Sequence, residues 1–197
     1  MKIAGMVLAA GGGSRFGRPK AEVEVGGRRL VDLAIESCGV AGLSPVVVVL
    51  GAVWLTPMPR ADSLADDATE IWLVENPDWP TGLASSLRAG LEALEGEPAV
   101  DAVVITLVDT VAVGKEHLRR IGSALRDGAT AAVATYLGQP RTPVGLTREV
   151  WADVSRTVDG DQGARKWLRA NPDLVTGVEC ADLGPWVDID TPGDLLR

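Results

Sequence analysis

The stretch Ile3-Ala4-Gly5-Met6-Val7-Leu8-Ala9-Ala10-Gly11-Gly12-Gly13-Ser14-Arg15-Phe16-Gly17-Arg18-Pro19-Lys20 decides how this 197-residue chain is read. An apolar run without polar alternation reads as a strand buried on both faces. This one flows into a glycine-rich turn followed by Arg15, Arg18 and Lys20. Open α/β sheets bind ligands beyond the carboxyl ends of their strands, so the turn lies where a ligand would sit. Glycines bare backbone N–H groups that can cradle an anion, and the cations can reach phosphate oxygens. Two common phosphate loops fail the test. The dinucleotide pattern Gly-x-Gly-x-x-Gly meets Phe16 when begun at Gly11 and Ser14 when begun at Gly12, and the second strand ends at Leu50-Gly51 without the acidic residue. A Walker loop begun at Gly12 reaches Gly17, but Arg18 and Pro19 stand in the places of its Lys and Ser/Thr.

Further apolar runs at Val46 to Leu50, Ile71 to Val74, Val103 to Val108 and Ala131 to Ala134 predict more buried strands. Helical spacing lies between them: Val31, Ala34, Ile35 and Cys38; Leu83, Leu87, Leu91 and Leu94; Leu118, Ile121 and Leu125. Strand then helix, repeated, predicts a three-layer α/β fold with a mostly parallel sheet. The last third predicts a short helix at Val150, Trp151 and Val154, and another carrying Ala164, Trp167 and Leu168 with Asp161 as N-cap. Strands at Leu174 to Val178 and Trp186 to Ile189 precede a final turn at Thr191-Pro192. The expectation is one domain over 1–197, with a nucleotide half to about residue 110 and an acceptor half from about 111.

Composition narrows the function. The net charge of −8 argues against duplex nucleic acid or an anionic membrane surface as partner. Six of the 19 basic residues nevertheless fall within the first 29 positions, and none between Leu30 and Pro59, which focuses positive charge on the glycine turn. Cys38 and Cys180 are too few and too far apart for a zinc or disulfide framework, so a reducing cytoplasm is the expected location. His117 is the single histidine, which argues against a Ser-His-Asp hydrolase. Met1-Lys2 before Ile3 to Ala10 mimics the start of a signal peptide, but the run leads into the glycine turn and reads as a strand. No run approaches the roughly 18 apolar residues of a membrane span.

Glycine at 11, 13 and 17, Arg15 and Pro19-Lys20, after a strand ending Leu8-Ala9-Ala10, resemble the signature of small nucleotidyltransferases of the molybdenum cofactor cytidylyltransferase and guanylyltransferase group. The resemblance implies a Rossmann-like nucleotidyltransferase fold with a mostly parallel, mixed central sheet. It implies a triphosphate wrapped by Leu8, Ala9, Ala10, Gly11, Gly12 and Gly13, with Arg15 and Lys20 neutralising the leaving pyrophosphate. The Leu-Ala-Ala-Gly start and Pro-Lys end are similar to the cytidylyl branch, so CTP is expected before GTP.

More of the chain carries the likeness. Asn76-Pro77-Asp78-Trp79-Pro80-Thr81-Gly82 leading into Ser85-Ser86-Leu87 is similar to the family's Asn-Pro-x-Trp-x-x-Gly segment and implies Gly82 and Ser86 near the nucleobase. Leu107-Val108-Asp109-Thr110-Val111 resembles the Leu-x-Asp-x-Pro metal motif with Val111 in place of the proline. Asp188-Ile189-Asp190-Thr191-Pro192 resembles the closing Asp-x-Asp-Thr-Pro. Together these imply Mg2+ on Asp109 and Asp188, catalytic roles for Arg15, Lys20 and Asp109, and a supporting role for Asp190. Gly160-Asp161-Gln162-Gly163-Ala164-Arg165 resembles a stretch on the acceptor side, implying that Asp161, Asp190 and Arg141 lie near a phosphorylated acceptor such as molybdopterin, with a molybdoenzyme as a downstream partner. Gly138-Gln139-Pro140-Arg141 lacks the family's Gly-His-Pro histidine, and Ala21 to Val25 replace a Leu-Leu-rich stretch. These departures keep open a sugar or polyol phosphate as acceptor, and a nucleotide-binding partner protein without catalysis.

Overall fold

A computed structural model describes residues 1–56, 58 and 69–196. Its main sheet has seven strands: β1 (Ile3–Leu8), β4 (Val46–Leu50), β5 (Ile71–Glu75), β6 (Ala102–Leu107), β7 (Ala131–Tyr136), β8 (Gln139–Thr147) and β9 (Val175–Glu179). A separate hairpin is formed by β2 (Glu24–Val25) and β3 (Arg28–Arg29). The sheet order is β5-β4-β1-β6-β8-β7-β9. Every neighbouring pair is parallel except those of β8, which runs antiparallel to both β6 and β7.

The two-residue strand period sorts the core into two layers. In β1, Ile3 and Val7 face helices α1 (Leu30–Val40) and α3 (Lys115–Arg126). Ala4, Met6 and Leu8 face α2 (Leu83–Glu95), α4 (Trp151–Thr157) and α5 (Arg165–Ala170). β4 divides in the same way, with Val46, Val48 and Leu50 on one face and Val47 and Val49 on the other. Both faces are covered by helices, which completes the three-layer α/β architecture.

Strands β4 and β5 lie on one side of β1, and the chain then crosses to place β6 on the other. The carboxyl ends of β1 and β6 thus flank the switch point where open α/β sheets bind ligands.

Three expectations need correction. β8 falls on Gln139 to Thr147, where two prolines and polar residues conceal a strand. Its ladder to β7 skips Thr142 and Pro143, and its ladder to β6 begins only at Val144. Pro143 therefore occupies a bulge and Pro140 lies beyond the reach of β6, positions where a missing N–H costs nothing. Trp186 to Ile189 forms no strand; Ile189 N–H donates to Asp109 O at 3.0 Å and ties the segment to the end of β6. The hairpin of β2 and β3 carries Arg28 to Glu36 and Arg29 to Asp32, the latter at 2.7 Å. Part of the N-terminal basic cluster thus pairs with the acids of α1.

Candidate active site

The glycine turn leaves β1 with its first residues held by the sheet. Ala9 N–H donates to Val49 O at 2.9 Å, and Ala10 O accepts from Ala52 N–H at 2.9 Å. The side chains of Leu8, Ala9 and Ala10 are buried in the core, so these residues can offer a ligand only their backbone. Gly11 is exposed, with open space where a side chain would project. Gly13 has φ +63°, and a Cβ there would lie 1.9 Å from Arg18 O, which no side chain could accommodate. Gly17 N–H closes the turn onto Gly13 O at 2.8 Å, and Phe16 anchors it in the core. Arg15 and Arg18 are left exposed at its rim.

Past Pro19 the chain bends inward and brings Lys20 to the end of β6. Lys20 Nζ donates to Asp109 Oδ2 at 2.7 Å and to Asp190 Oδ1 at 2.7 Å. Arg15 Nη1 reaches Asp190 Oδ2 at 3.3 Å. Residues 15, 20, 109 and 190, far apart in sequence, thus meet at the switch point. Burial opposes the charge on Lys20, but the hydrogen bonds and attraction of both carboxylates outweigh it and hold its pKa above the ordinary 10.5. The Lys20 hydrogen bond correspondingly holds the Asp190 carboxyl below its ordinary value, against partial burial. Asp190 therefore stands with the cations of the glycine turn.

Asp109 Oδ1 is buried and has no hydrogen-bond partner among the described residues. A buried carboxylate oxygen without a donor is costly unless something else meets it, and a divalent cation is a suitable group. Asp188 flanks Ile189, whose N–H binds Asp109 O, so the backbone brings both carboxylate residues to the same strand end. Among the described residues no group of three or more His, Cys, Asp or Glu is arranged to hold a metal alone. A pair of carboxylates suits Mg2+, which takes its remaining ligands from phosphates and water.

The segment after β5 forms the opposite wall. Asn76 is buried; its Nδ2 donates to Ser85 Oγ at 2.9 Å and Ser86 Oγ at 3.0 Å, while its Oδ1 accepts from Asp78 N–H. Ser86 is thus engaged by Asn76 inside the protein. Trp79 lies across the glycine turn. A Cβ on Gly12 would stand 3.0 Å from the indole, and one on Gly51 would stand 2.7 Å from it. Asn76 and Trp79 were legible as parts of the motif, whereas the part played by Gly51 was signalled only by a glycine directly after a strand.

Gly82 is the N-cap residue of α2, with φ +113°. Asp161 does not cap α5, whose N-cap is Ala164. Its Oδ1 instead accepts from Leu83 N–H at 3.3 Å, at the start of α2. Arg141 packs its guanidinium over the Trp186 ring at 5.1 Å, which places this cation against the 186–190 segment in space.

Fold and site together define an open α/β protein with a glycine turn, cations and carboxylates gathered at its switch point. Residues 5–175 match the family described as the MobA-like NTP transferase domain, and the chain belongs to that nucleotidyltransferase family. It is 34% identical to nicotine blue oxidoreductase of Paenarthrobacter nicotinovorans, over 99% of this chain and 95% of that protein. It is 30% identical to molybdenum cofactor guanylyltransferase of Rhizobium meliloti, over 98% of this chain and 88% of that protein. Among solved structures, a Mycobacterium sp. strain JC1 homologue of Mycobacterium tuberculosis Rv0371c superposes with a TM-score of 0.75 at 25% identity, covering 100% of this chain and 96% of that one. No helix among the described residues is long and apolar enough to cross a membrane.

Proposed function

We propose that this protein transfers CMP from CTP to the phosphate of a small acceptor, molybdopterin or its molybdenum form, with release of pyrophosphate. The observation that carries the reading is Lys20, held at 2.7 Å from both Asp109 and Asp190 beside a turn that only glycine can build at position 13. A cation poised between carboxylates at a switch point suits a triphosphate and its counter-ion.

An acceptor phosphate oxygen attacks the α-phosphorus, and the bond from that phosphorus to the oxygen bridging the β-phosphate breaks. Both electrons of that bond leave with pyrophosphate. A phosphate monoester has its second pKa near about 6 and is largely dianionic at neutral pH, so the attack needs no protein base. Arg15, Lys20 and the N–H groups of the turn face the charge that develops on the leaving group. Bound through Asp109 and Asp188, Mg2+ would supply charge neutralisation on the reacting phosphates. Asp190 orients Lys20 and Arg15 before the nucleotide arrives.

CTP is favoured over GTP by the Leu8-Ala9-Ala10-Gly11 start and the Pro19-Lys20 end; the Rhizobium relative is the argument for GTP. Gln139 to Pro143, with Arg141 over Trp186, keeps a sugar or polyol phosphate open as acceptor. A second reading follows from the name of the Paenarthrobacter relative: a redox reaction on a small organic molecule.

Thermal stabilisation by CTP, GTP, ATP, UTP and reduced nicotinamide nucleotides, each with and without Mg2+, separates these readings. A ligand at 100 times its dissociation constant adds about 2.7 kcal/mol of stability. A Mg2+-dependent shift with CTP above the other triphosphates is expected. A shift with a reduced nicotinamide nucleotide alone would favour the redox reading, and none at all would leave a partner protein without catalysis.

A further inference from the structure

The turn at Gly160–Gln162 comes from the acceptor half yet docks on the start of α2. Asp161 Oδ1 accepts from Leu83 N–H at 3.3 Å. The fit around this bond is tight: a Cβ on Gly82 would lie 2.6 Å from Gly160 O and 2.7 Å from Asp161 Oδ1. On the other side of the turn, a Cβ on Gly163 would meet the Leu83 side chain at 3.0 Å. Gly82 is in turn bonded to Trp79, its N–H donating to Trp79 O at 3.1 Å. The Trp79 indole rests on Gly12 of the glycine turn and on Gly51 at the end of β4. A continuous chain of contacts thus runs from Asp161 through Gly82 and Trp79 to the turn.

We infer that Asp161 is a positioning residue for nucleotide binding: from the acceptor half it fixes Gly82 and Leu83, and through Trp79 it fixes the glycine turn. The inference rests on the nucleotidyltransferase reading for its ligand, a nucleoside triphosphate. It moves Asp161 from the acceptor's binding surface to the link between the two halves. What this role requires is a hydrogen-bond acceptor at Oδ1, and a negative charge is dispensable. The link also gives a physical route by which an acceptor pressing on the 160–163 turn would alter nucleotide affinity.

The test compares Asp161→Ala with Asp161→Asn, whose amide oxygen can take the same bond. Removing a helix-capping acceptor has a known range of cost, which corresponds to a loss of CTP affinity of about fivefold. Asp161→Ala is expected to raise KM for CTP by about that factor with kcat little changed, and Asp161→Asn to restore KM to within about twofold of the original. Hydrogen exchange at the Leu83 and Ala84 amides should quicken in Asp161→Ala and return towards the original rate in Asp161→Asn. Equal impairment of both variants would assign Asp161 a charge-dependent role and overturn the inference. So would an unchanged KM in Asp161→Ala when the unmodified protein binds CTP. Absence of triphosphate binding by the unmodified protein would instead remove the underlying functional reading, and the exchange rates would still report whether the latch exists.

Discussion

Replacing Lys20 with methionine removes the cation that joins β1's turn to the end of β6 while keeping most of the side chain's bulk. Lys20 and Asp109 side chains are only 15% and 19% exposed, so Lys20→Met strands a poorly hydrated carboxylate whose other oxygen has no donor among the described residues. Exposed pairs contribute about 0–1 kcal/mol, and a buried charge left unpaired costs about 3–5 kcal/mol. This pair lies between, at about 2 kcal/mol. Asp190, at 41% exposure and with Arg15 beside it, adds little. For a chain of this size about 2 kcal/mol lowers Tm by about 4–8 °C. The pH dependence has a definite sign. The Lys20 pKa is raised above 10.5, so its contribution is full below that value and fades as pH rises through the folded pKa. The Asp190 pKa is lowered below 3.8, so its contribution is present above that value and fades as pH falls through the folded pKa. Calorimetry of both proteins should therefore show a Tm difference that is flat from about pH 5 to pH 9, narrows clearly on the alkaline side and changes only slightly on the acid side. Equal Tm values at pH 7, or a difference that widens above pH 10.5, would refute the reasoning.

Gly13→Ala should keep the far-UV circular dichroism of the fold but lose stabilisation by CTP with Mg2+, because its Cβ would meet Arg18 O at 1.9 Å; a retained shift would contradict the geometry. Asp109→Asn should abolish most pyrophosphate release with the fold intact, and full activity would remove Asp109 from the metal's ligands. Arg148 donates to Val100 O at 2.7 Å and Leu94 O at 3.0 Å and lies over Trp151, so Arg148→Ala should cost about 2–3 kcal/mol, read as a lower urea midpoint at unchanged m; a shift under about 0.5 kcal/mol would contradict this. Complete burial pushes the Cys38 thiol up to about 12, so Ellman's reagent at pH 8 should label it no faster than the protein unfolds, and rapid labelling of the native protein would count against its burial.

The plainest strands in the sequence were β1 and β4, whose two faces are both covered. Ile3 to Leu8 and Val46 to Leu50 coincide with β1 and β4 because uninterrupted apolar runs have nowhere else to go. β8 was hidden because its prolines are tolerated only through a bulge and a short ladder to β6, which are properties of its neighbours. Trp186 to Ile189 alternates like a strand but is fixed at its end by the backbone bond from Ile189 to Asp109, and no ladder forms. In the site, the glycine turn and its cations were legible because φ +63° at Gly13 leaves a signature in residue type. Local spacing suggested that Asp161 caps the next helix, whereas tertiary packing turns it onto α2, 78 residues earlier. Pairing of Lys20 with both Asp109 and Asp190 likewise depends on a juxtaposition no local pattern encodes.

The most direct test of the account follows the α-phosphate. The protein is incubated with CTP labelled at that position, Mg2+ and molybdopterin, and label transfer is measured with pyrophosphate release. The account predicts labelled CMP joined to the acceptor and an equal amount of pyrophosphate, both lost in Asp109→Asn. Label that stays in CTP, in a protein that instead reduces a small organic acceptor, would contradict it.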